Sequence, residues 1–237
     1  MSGDDHIRPM LLLAIDTSGK QGSIALARAG EHCGEPGDIK VIRNVPLSGG
    51  SFSAQLVPQI TALLSVESVT RSQLDAFAVV SGPGSFTGLR VGLAAVKALA
   101  EVLQKPIAAV SLLEVCIFAS GAQGRIMAVL DAGRGDVYVG EYDFRGDRSR
   151  MLREQLLSKA ELLIEGKDWT LVTPDSALFS AMRASGLSTS ILPPITAESV
   201  ARLGCLKIQR GETVTPELLE ANYIRRTDAE LLEKSRT

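Results

Sequence analysis

Histidine is almost missing from this sequence: His6 and His32 are the only two among 237 residues. A histidine-built metal centre or a Ser-His-Asp triad would have to use one of them. His6 lies in a polar tail and His32 stands between Gly30 and Gly34, in turn chemistry, so neither suits that work. Cysteine is equally thin. Cys33, Cys116 and Cys205 are scattered, odd in number and without a CxxC. A disulfide framework and a zinc ribbon are both unsupported, and free thiols of a reducing compartment are expected. Aromatics amount to 4%, so the core must be aliphatic. No charge sign dominates, with 25 Lys and Arg against 27 Asp and Glu and a net of -2. That speaks against gripping nucleic acid through a basic surface, though not against a place in a nucleic-acid pathway. No run approaches the ~20 apolar residues of a membrane span. The first apolar run, Met10–Ile15, is too short for a signal segment and stops at Asp16. A cytoplasmic protein with no membrane partner is expected.

What is present reads as an ordinary globular chain, 45% hydrophobic and 22% charged. Its length allows one large domain or two small ones. Leu11–Asp16, Ser23–Ala27 and Ile39–Val45 read as three strands with tight connections, the pattern of an antiparallel meander. Leu56, Val57, Ile60, Leu63 and Leu64 recur as one helix face, with Pro58 placed in the first turn. A buried strand at Ala76–Val80 leads into a glycine-rich turn, a helix over Gly88–Leu103 and a strand at Ile107–Val110. Then the opening recurs. Ile126–Asp131 is again an apolar strand ending in an acid, followed by a turn and a strand at Val137–Tyr142. Asp16 and Asp131 hold matching places. Helices at Lys159–Ile164 and Ser199–Gln209 and a strand at Thr170–Thr173 complete the second half, with Leu162, Leu163, Leu203 and Leu206 expected to face its sheet. The expected fold is α/β, a duplicated two-lobe ASKHA (actin-like/RNase H-like) architecture. Its expected parts are a tail at 1–10, lobes at 11–110 and 111–226, and a frayed end at 227–237.

In such folds each strand-Asp-turn points backbone N–H groups at phosphates. An acid at a strand end is equally a plain turn-starter. The glycine turn Ser81–Arg90 joins a strand to a helix N-terminus, a potential anion cradle. Its spacing is neither GxGxxG nor GxxxxGK[ST], and Lys97 is two turns away, so a structural turn is the favoured reading. The helix that follows carries only Arg90, Lys97 and Glu101 as charges, all on one narrow stripe. Its apolar surface exceeds the ~100° that one sheet face needs. Another lobe, another helix or another subunit must cover the surplus.

Four stretches carry a family resemblance. LAIDTS at Leu13–Ser18, SGPGSFTGLRVGLAAVKALA at Ser81–Ala100, LDAGRGDVYVGEY at Leu130–Tyr142 and NYIRRTDAE at Asn222–Glu230 closely resemble the bacterial TsaB (YeaZ) family. The resemblance implies two ASKHA lobes and a part in making N6-threonylcarbamoyladenosine at position 37 of tRNA. It implies a subunit that is not itself the catalyst. The partners the resemblance implies are the paralogue TsaD, which holds the metal, and the ATPase TsaE, which joins the pair. Homodimers are a second pairing that the resemblance allows, and tRNA contact is expected to be indirect or minor. The family's pairing surface maps onto the helices matching Gln55–Ser65 and Phe86–Leu103. The contact residues expected there are Leu56, Ile60, Leu63, Leu64, Phe86, Leu89, Gly92, Leu93, Val96 and Ala100.

This sequence also departs from its catalytic relatives. Their His-x-x-x-His metal ligands correspond to Gly50–Gln55, which holds no histidine, and Phe52 stands where many TsaB-like chains have one. The Gly-Gly pair that shapes an adenine pocket has no counterpart in Leu171–Gly186. No cofactor and no metal are therefore expected. Asp16, Ser18, Gly82, Gly84 and Asp131 would line at most a vestigial nucleotide cleft. The alternative is an active nucleotide-binding phosphotransferase or ATPase of the same fold. A peptidase is disfavoured, since the sequence has no HExxH and no nucleophile elbow.

Overall fold

In the computed structural model, which describes residues 9–30, 39–48, 50–146 and 148–225, Leu12 to Ile15 are fully buried. Their position at the centre of a sheet is the reason. The strand β1 (Met10–Asp16) pairs antiparallel with β2 (Gly22–Ala29) on one side and parallel with β4 (Ala76–Gly82) on the other. A strand covered on both faces reads as an unbroken apolar run, as LLLAI does. β3 (Ile39–Leu47) and β5 (Ile107–Ser111) are the edges, giving the order β3-β2-β1-β4-β5. Residues 1–8 of the tail expected at 1–10, the connection at 31–38 and the end expected to fray at 227–237 lie outside the described residues, as do His6, His32 and Cys33, but Met10 belongs to β1 and not to a tail.

The chain divides into two compact units. The first holds the described residues up to Ser81, Ser85–Val110 and Thr196–Ala221; the second holds Gly82–Gly84, Ser111–Ile195 and the described residues from Asn222. In the first unit, α1 (Phe52–Val66) and α2 (Phe86–Leu103) cover one sheet face, and α6 (Ala197–Gln209) covers the other. Side-chain alternation explains the division. Ile15 of β1 meets Gly92 of α2, whereas Ala78, in register with Ala14, meets Gly204 of α6. α6 was expected in the second lobe. Instead Leu203 and Leu206 are buried with the first unit, where α6 packs on β1, β2 and β3.

The second unit repeats the strand plan. Its sheet runs β10-β9-β6-β7-β8, built from β6 (Gly124–Gly133), β7 (Asp136–Arg145), β8 (Arg148–Ser158), β9 (Thr170–Thr173) and β10 (Thr189–Ile191). β6 is antiparallel to β7 and parallel to β9, as β1 is to β2 and β4. The duplicated α/β architecture expected from the sequence is therefore present, down to the strand order. α3 (Leu112–Ser120) packs on one face through Leu113, Cys116 and Ile117. α4 (Lys159–Glu165) and α5 (Ser176–Ala184) cover the other through Leu162, Leu178 and Met182. Leu163, expected inside, is exposed.

Two local expectations need correction. α1 begins at Phe52, so Pro58 is interior to the helix and not in its first turn. It is exposed, and lacking an N–H it leaves one helix carbonyl to water. The thiols are not all free. Cys116 is a buried free thiol, but Cys205 is disulfide-bonded.

Candidate functional site

The polar residues that close β1 are buried, which is unusual for a strand end. Asp16, Thr17 and Ser18 are each at most 6% exposed. Asp16 Oδ1 accepts from the Ser18 backbone N–H at 2.9 Å and from Ser18 Oγ at 2.6 Å. Burial pushes the Asp16 carboxyl above its ordinary range, and the two Ser18 bonds offset only part of that. The folded chain thus holds this proton at pH values where the unfolded chain has lost it. Stability falls as pH rises from the unfolded value near 3.8 through the higher folded one, and stays lower above it. Asp16→Asn keeps an acceptor for Ser18 and removes the buried charge. Its melting temperature should exceed the parent's at pH 7, with the gap closing as pH falls to about 4. Equal melting profiles across that range would show that burial does not tax this carboxylate.

The glycine loop is explained by the same turn. Ser85 N–H donates to the Ser18 carbonyl at 2.7 Å. Ser85 Oγ caps α2 by accepting from Gly88 N–H, and Thr17 Oγ1 donates to the Gly88 carbonyl at 2.8 Å. A Cβ on Gly88 would lie 2.1 Å from the Thr17 carbonyl oxygen, and one on Gly92 would lie 2.4 Å from Thr17 Oγ1. These glycines let the helix sit directly on the strand end. Gly82 has φ +144°, and its Cβ would meet the Asn222 carbonyl at 2.3 Å. Asp16 and Ser18 thus come together in the first unit. Gly82, Gly84 and Asp131 belong to the second, where Asp131 is exposed within β6, opposite Val137. Phe52 is buried, its ring packed against the Gly22 backbone. It fills core space, so no metal ligand stands at this position. Among the described residues, no three of His, Cys, Asp and Glu converge.

The α1–α2 layer corrects the expected contact residues. Leu56, Ile60, Leu63, Leu64, Leu89, Leu93, Val96 and Ala100 are 1–6% exposed or fully buried, and Gly92 is buried under Thr17. They face the chain's own sheet, so a second molecule has no access to them. The i, i+4, i+7 pattern that marks a docking face marks a core face equally well, and the sheet claims it. Of the ten residues, only Phe86 is exposed. The outward row of α2 is Phe86, Arg90, Ala94, Ala98 and Val102, spaced every fourth residue, with Arg90 stacked 3.6 Å over the Phe86 ring. The outward side of α1 offers Val57, Ala62 and Val66, with Val57 61% and Val66 65% exposed. No residue of α1 is charged. Ser53, Thr61 and Ser65 are the exposed polar residues of α1, and Arg90 and Glu101 are the exposed charges of α2, so the face is poorer in charge than solvent faces of helices usually are.

The second unit holds a polar hub that sequence reading missed. Glu154 of β8 accepts from Tyr142 OH at 2.5 Å and from Ser111 Oγ through one carboxylate oxygen. Its other oxygen accepts from Asn222 Nδ2 at 2.6 Å. Burial, followed by the Glu154 charge, pushes the Tyr142 hydroxyl far above the usual tyrosine range. Arg225 donates to Asp136, so both ends of the segment Asn222–Arg225 are tied to the sheet. β8 gave no sequence signal because its exposed, charged residues do not alternate cleanly.

The family model for TsaD, tRNA N6-adenosine threonylcarbamoyltransferase, matches residues 47–222. A protein of Bacillus subtilis (strain 168) named tRNA threonylcarbamoyladenosine biosynthesis protein TsaB is 33% identical over 162 residues, covering 68% of this chain and 64% of its own length. A protein of Escherichia coli (strain K12) with the same name is 28% identical over 231 residues, covering 91% and 95%. This chain thus spans just under two thirds of the Bacillus relative and nearly all of the Escherichia one. The solved YeaZ from Pseudomonas aeruginosa superposes with a TM-score of 0.69 at 28% identity, over 90% of this chain and 99% of that one.

Proposed function

The chain belongs to the tRNA N6-adenosine threonylcarbamoyltransferase (TsaD) family, in its TsaB (YeaZ) branch, and from that premise we propose that it serves threonylcarbamoyladenosine synthesis in tRNA as a non-catalytic subunit. It pairs with a TsaD-like catalytic paralogue, which a TsaE-like ATPase joins. The observation that carries this reading is the outward face of α1 and α2. It combines a helix without a charge and, on its neighbour, the row Phe86, Arg90, Ala94, Ala98 and Val102, in which Arg90 is the single charge. The small side chains of Ala94 and Ala98 let another helix approach closely, and the low charge of the face keeps the desolvation cost of covering it small. The strand-end acid supports the non-catalytic part. One oxygen of its carboxylate is held by Ser18 of its own turn, and burial favours its neutral form, so it is a weaker metal ligand than an exposed carboxylate. No helix is long and apolar enough to cross a membrane among the described residues, and the work is assigned to the cytoplasm, where tRNA is modified.

The test is co-expression with the cognate TsaD-like paralogue. The two chains should co-elute, and transfer of threonylcarbamoyl to adenosine should need the paralogue. Transfer by this chain alone would overturn the non-catalytic reading, and separate elution would overturn the pairing. A homodimer that persists when the paralogue is in excess would reassign the face to self-association.

A further inference from the structure

Residues directly opposite across an antiparallel strand pair share one face of the sheet. Arg125 stands opposite Asp143 across β6 and β7, and Asp143 stands opposite Arg150 across β7 and β8. One step toward the hairpin turn, Arg145 stands opposite Arg148, and one step away from it Glu141 stands opposite Arg153. By alternation along β7, this is the face that carries Val137 and Val139. α4 and α5 cover it at that end through Leu162, Leu178 and Met182. Toward the turn the cover ends, and all five arginines are exposed.

Three of the five are engaged. Arg145 reaches Asp143 at 3.0 Å, with its side chain 82% exposed. Arg153 is held by Glu141 and Glu165. Arg125 lies 4.2 Å over the Trp169 ring. Arg148 and Arg150 have no carboxylate partner among the described residues. Like charges directly opposite one another weaken a strand pair, yet Arg145 faces Arg148. Asp143 bonds to Arg145 and leaves Arg150 unneutralised. A hairpin needed only for folding gains from an acid at 148, so the arginines point to a ligand outside the chain.

We propose that this arginine face is a contact surface for the phosphate backbone of RNA. The guanidinium fork matches phosphate oxygens two at a time. Alternate residues on a strand lie about 6.6 Å apart and neighbouring strands about 4.8 Å apart, so the charges form an array that follows a backbone, not a point site for one small anion. The contact positions the RNA without reading its bases. The net charge of -2 conceals the patch because it averages over the chain, whereas sheet register gathers the arginines onto one face. The choice of RNA over an acidic protein segment rests on the tRNA-modifying role proposed above. It replaces the expectation that tRNA contact is indirect or minor.

The test uses the full chain, alone and in complex with its paralogue, with tRNA binding read by fluorescence anisotropy across a salt series. Arg148→Glu/Arg150→Glu should weaken binding roughly tenfold or more at low salt and lower the slope of log K against log salt by about two. Arg71→Glu, on the first unit, should leave both unchanged. Arg148→Glu faces Arg145 and so should not lower the melting temperature. Co-elution with the paralogue is measured on the same samples. Variants that pair normally and bind tRNA as the parent does overturn the surface and leave the subunit role standing. Variants that lose pairing but keep tRNA binding overturn it in favour of an acidic protein partner. A parent chain that binds no tRNA in either form also overturns it. Failure of the parent to pair refutes the subunit role instead.

Discussion

Val96→Glu is expected to unfold the first unit, whereas Ala98→Glu, two residues further along α2, leaves it folded and separates it from its partner. Val96 is fully buried under the sheet. An unpaired buried charge costs several kcal/mol or forces a proton onto the group, against a total stability of about 5–15 kcal/mol. Leu93→Glu, with Leu93 6% exposed, should behave like Val96→Glu. Ala98 is exposed, and a surface change of this kind shifts stability by about 0.5 kcal/mol or less. At the centre of a covered helix face the same charge should cost about 2 kcal/mol or more of association, roughly a thirtyfold loss. Thermal melts and co-elution on the same preparations read both effects. An Ala98→Glu chain that is folded and still paired would place the partner on some other surface. A folded Val96→Glu chain would contradict the packing of α2 itself.

Glu154→Ala should destabilise the second unit by about 2–3 kcal/mol. The substitution removes the acceptor shared by Tyr142 and Ser111 and the acceptor used by Asn222. Tyr142 is 1% exposed, so water does not replace the lost bond. The stranded Tyr142 donor costs about 1–3 kcal/mol, and the half-buried Ser111 and Asn222 donors, which water can reach, add less than that. The tie between Asn222 and β8 is lost as well, so amide exchange over Asn222–Arg225 should rise toward that of free chain. Glu154→Gln should cost less, because its carbonyl still accepts from Tyr142 while the Asn222 amide turns over to meet the new NH2. A Glu154→Ala protein that melts within about 0.5 kcal/mol of the parent would show that the hub is decorative.

Much of the fold was legible because its signals are local. The run LLLAID ends β1 at the acid the pattern indicated, and Ile126–Asp131 lies within β6, in the matching place of the second sheet. β8 and α5 were not legible. β8 is an edge strand with a bulge opposite Glu141 and Tyr142, and an edge with charges on both sides has no clean period of two. α6 was recognisable as a helix but not assignable to a sheet, since its apolar stripe fits either one. The site was harder still. Helical periodicity found Leu56, Ile60 and Leu93, but it ranks hydrophobicity without saying which apolar face meets the sheet. The outward row from Phe86 to Val102 shows the same four-residue spacing in smaller, less apolar residues, so it was overshadowed.

The sequence by itself determined the two strand-Asp-turn units, the aliphatic core, the family and the presence of an over-apolar helix pair. All of these depend on residues close together in the chain. Tertiary structure alone decided which side of that helix pair the sheet covers and which side it leaves exposed. It decided that Gly88 and Gly92 serve the chain's own packing, because only the folded chain brings Thr17 to them. It also gathered arginines from β6, β7 and β8 onto one uncovered face of a chain whose net charge is slightly negative. Burial and charge density are properties of surfaces, and the fold makes surfaces from residues far apart in sequence.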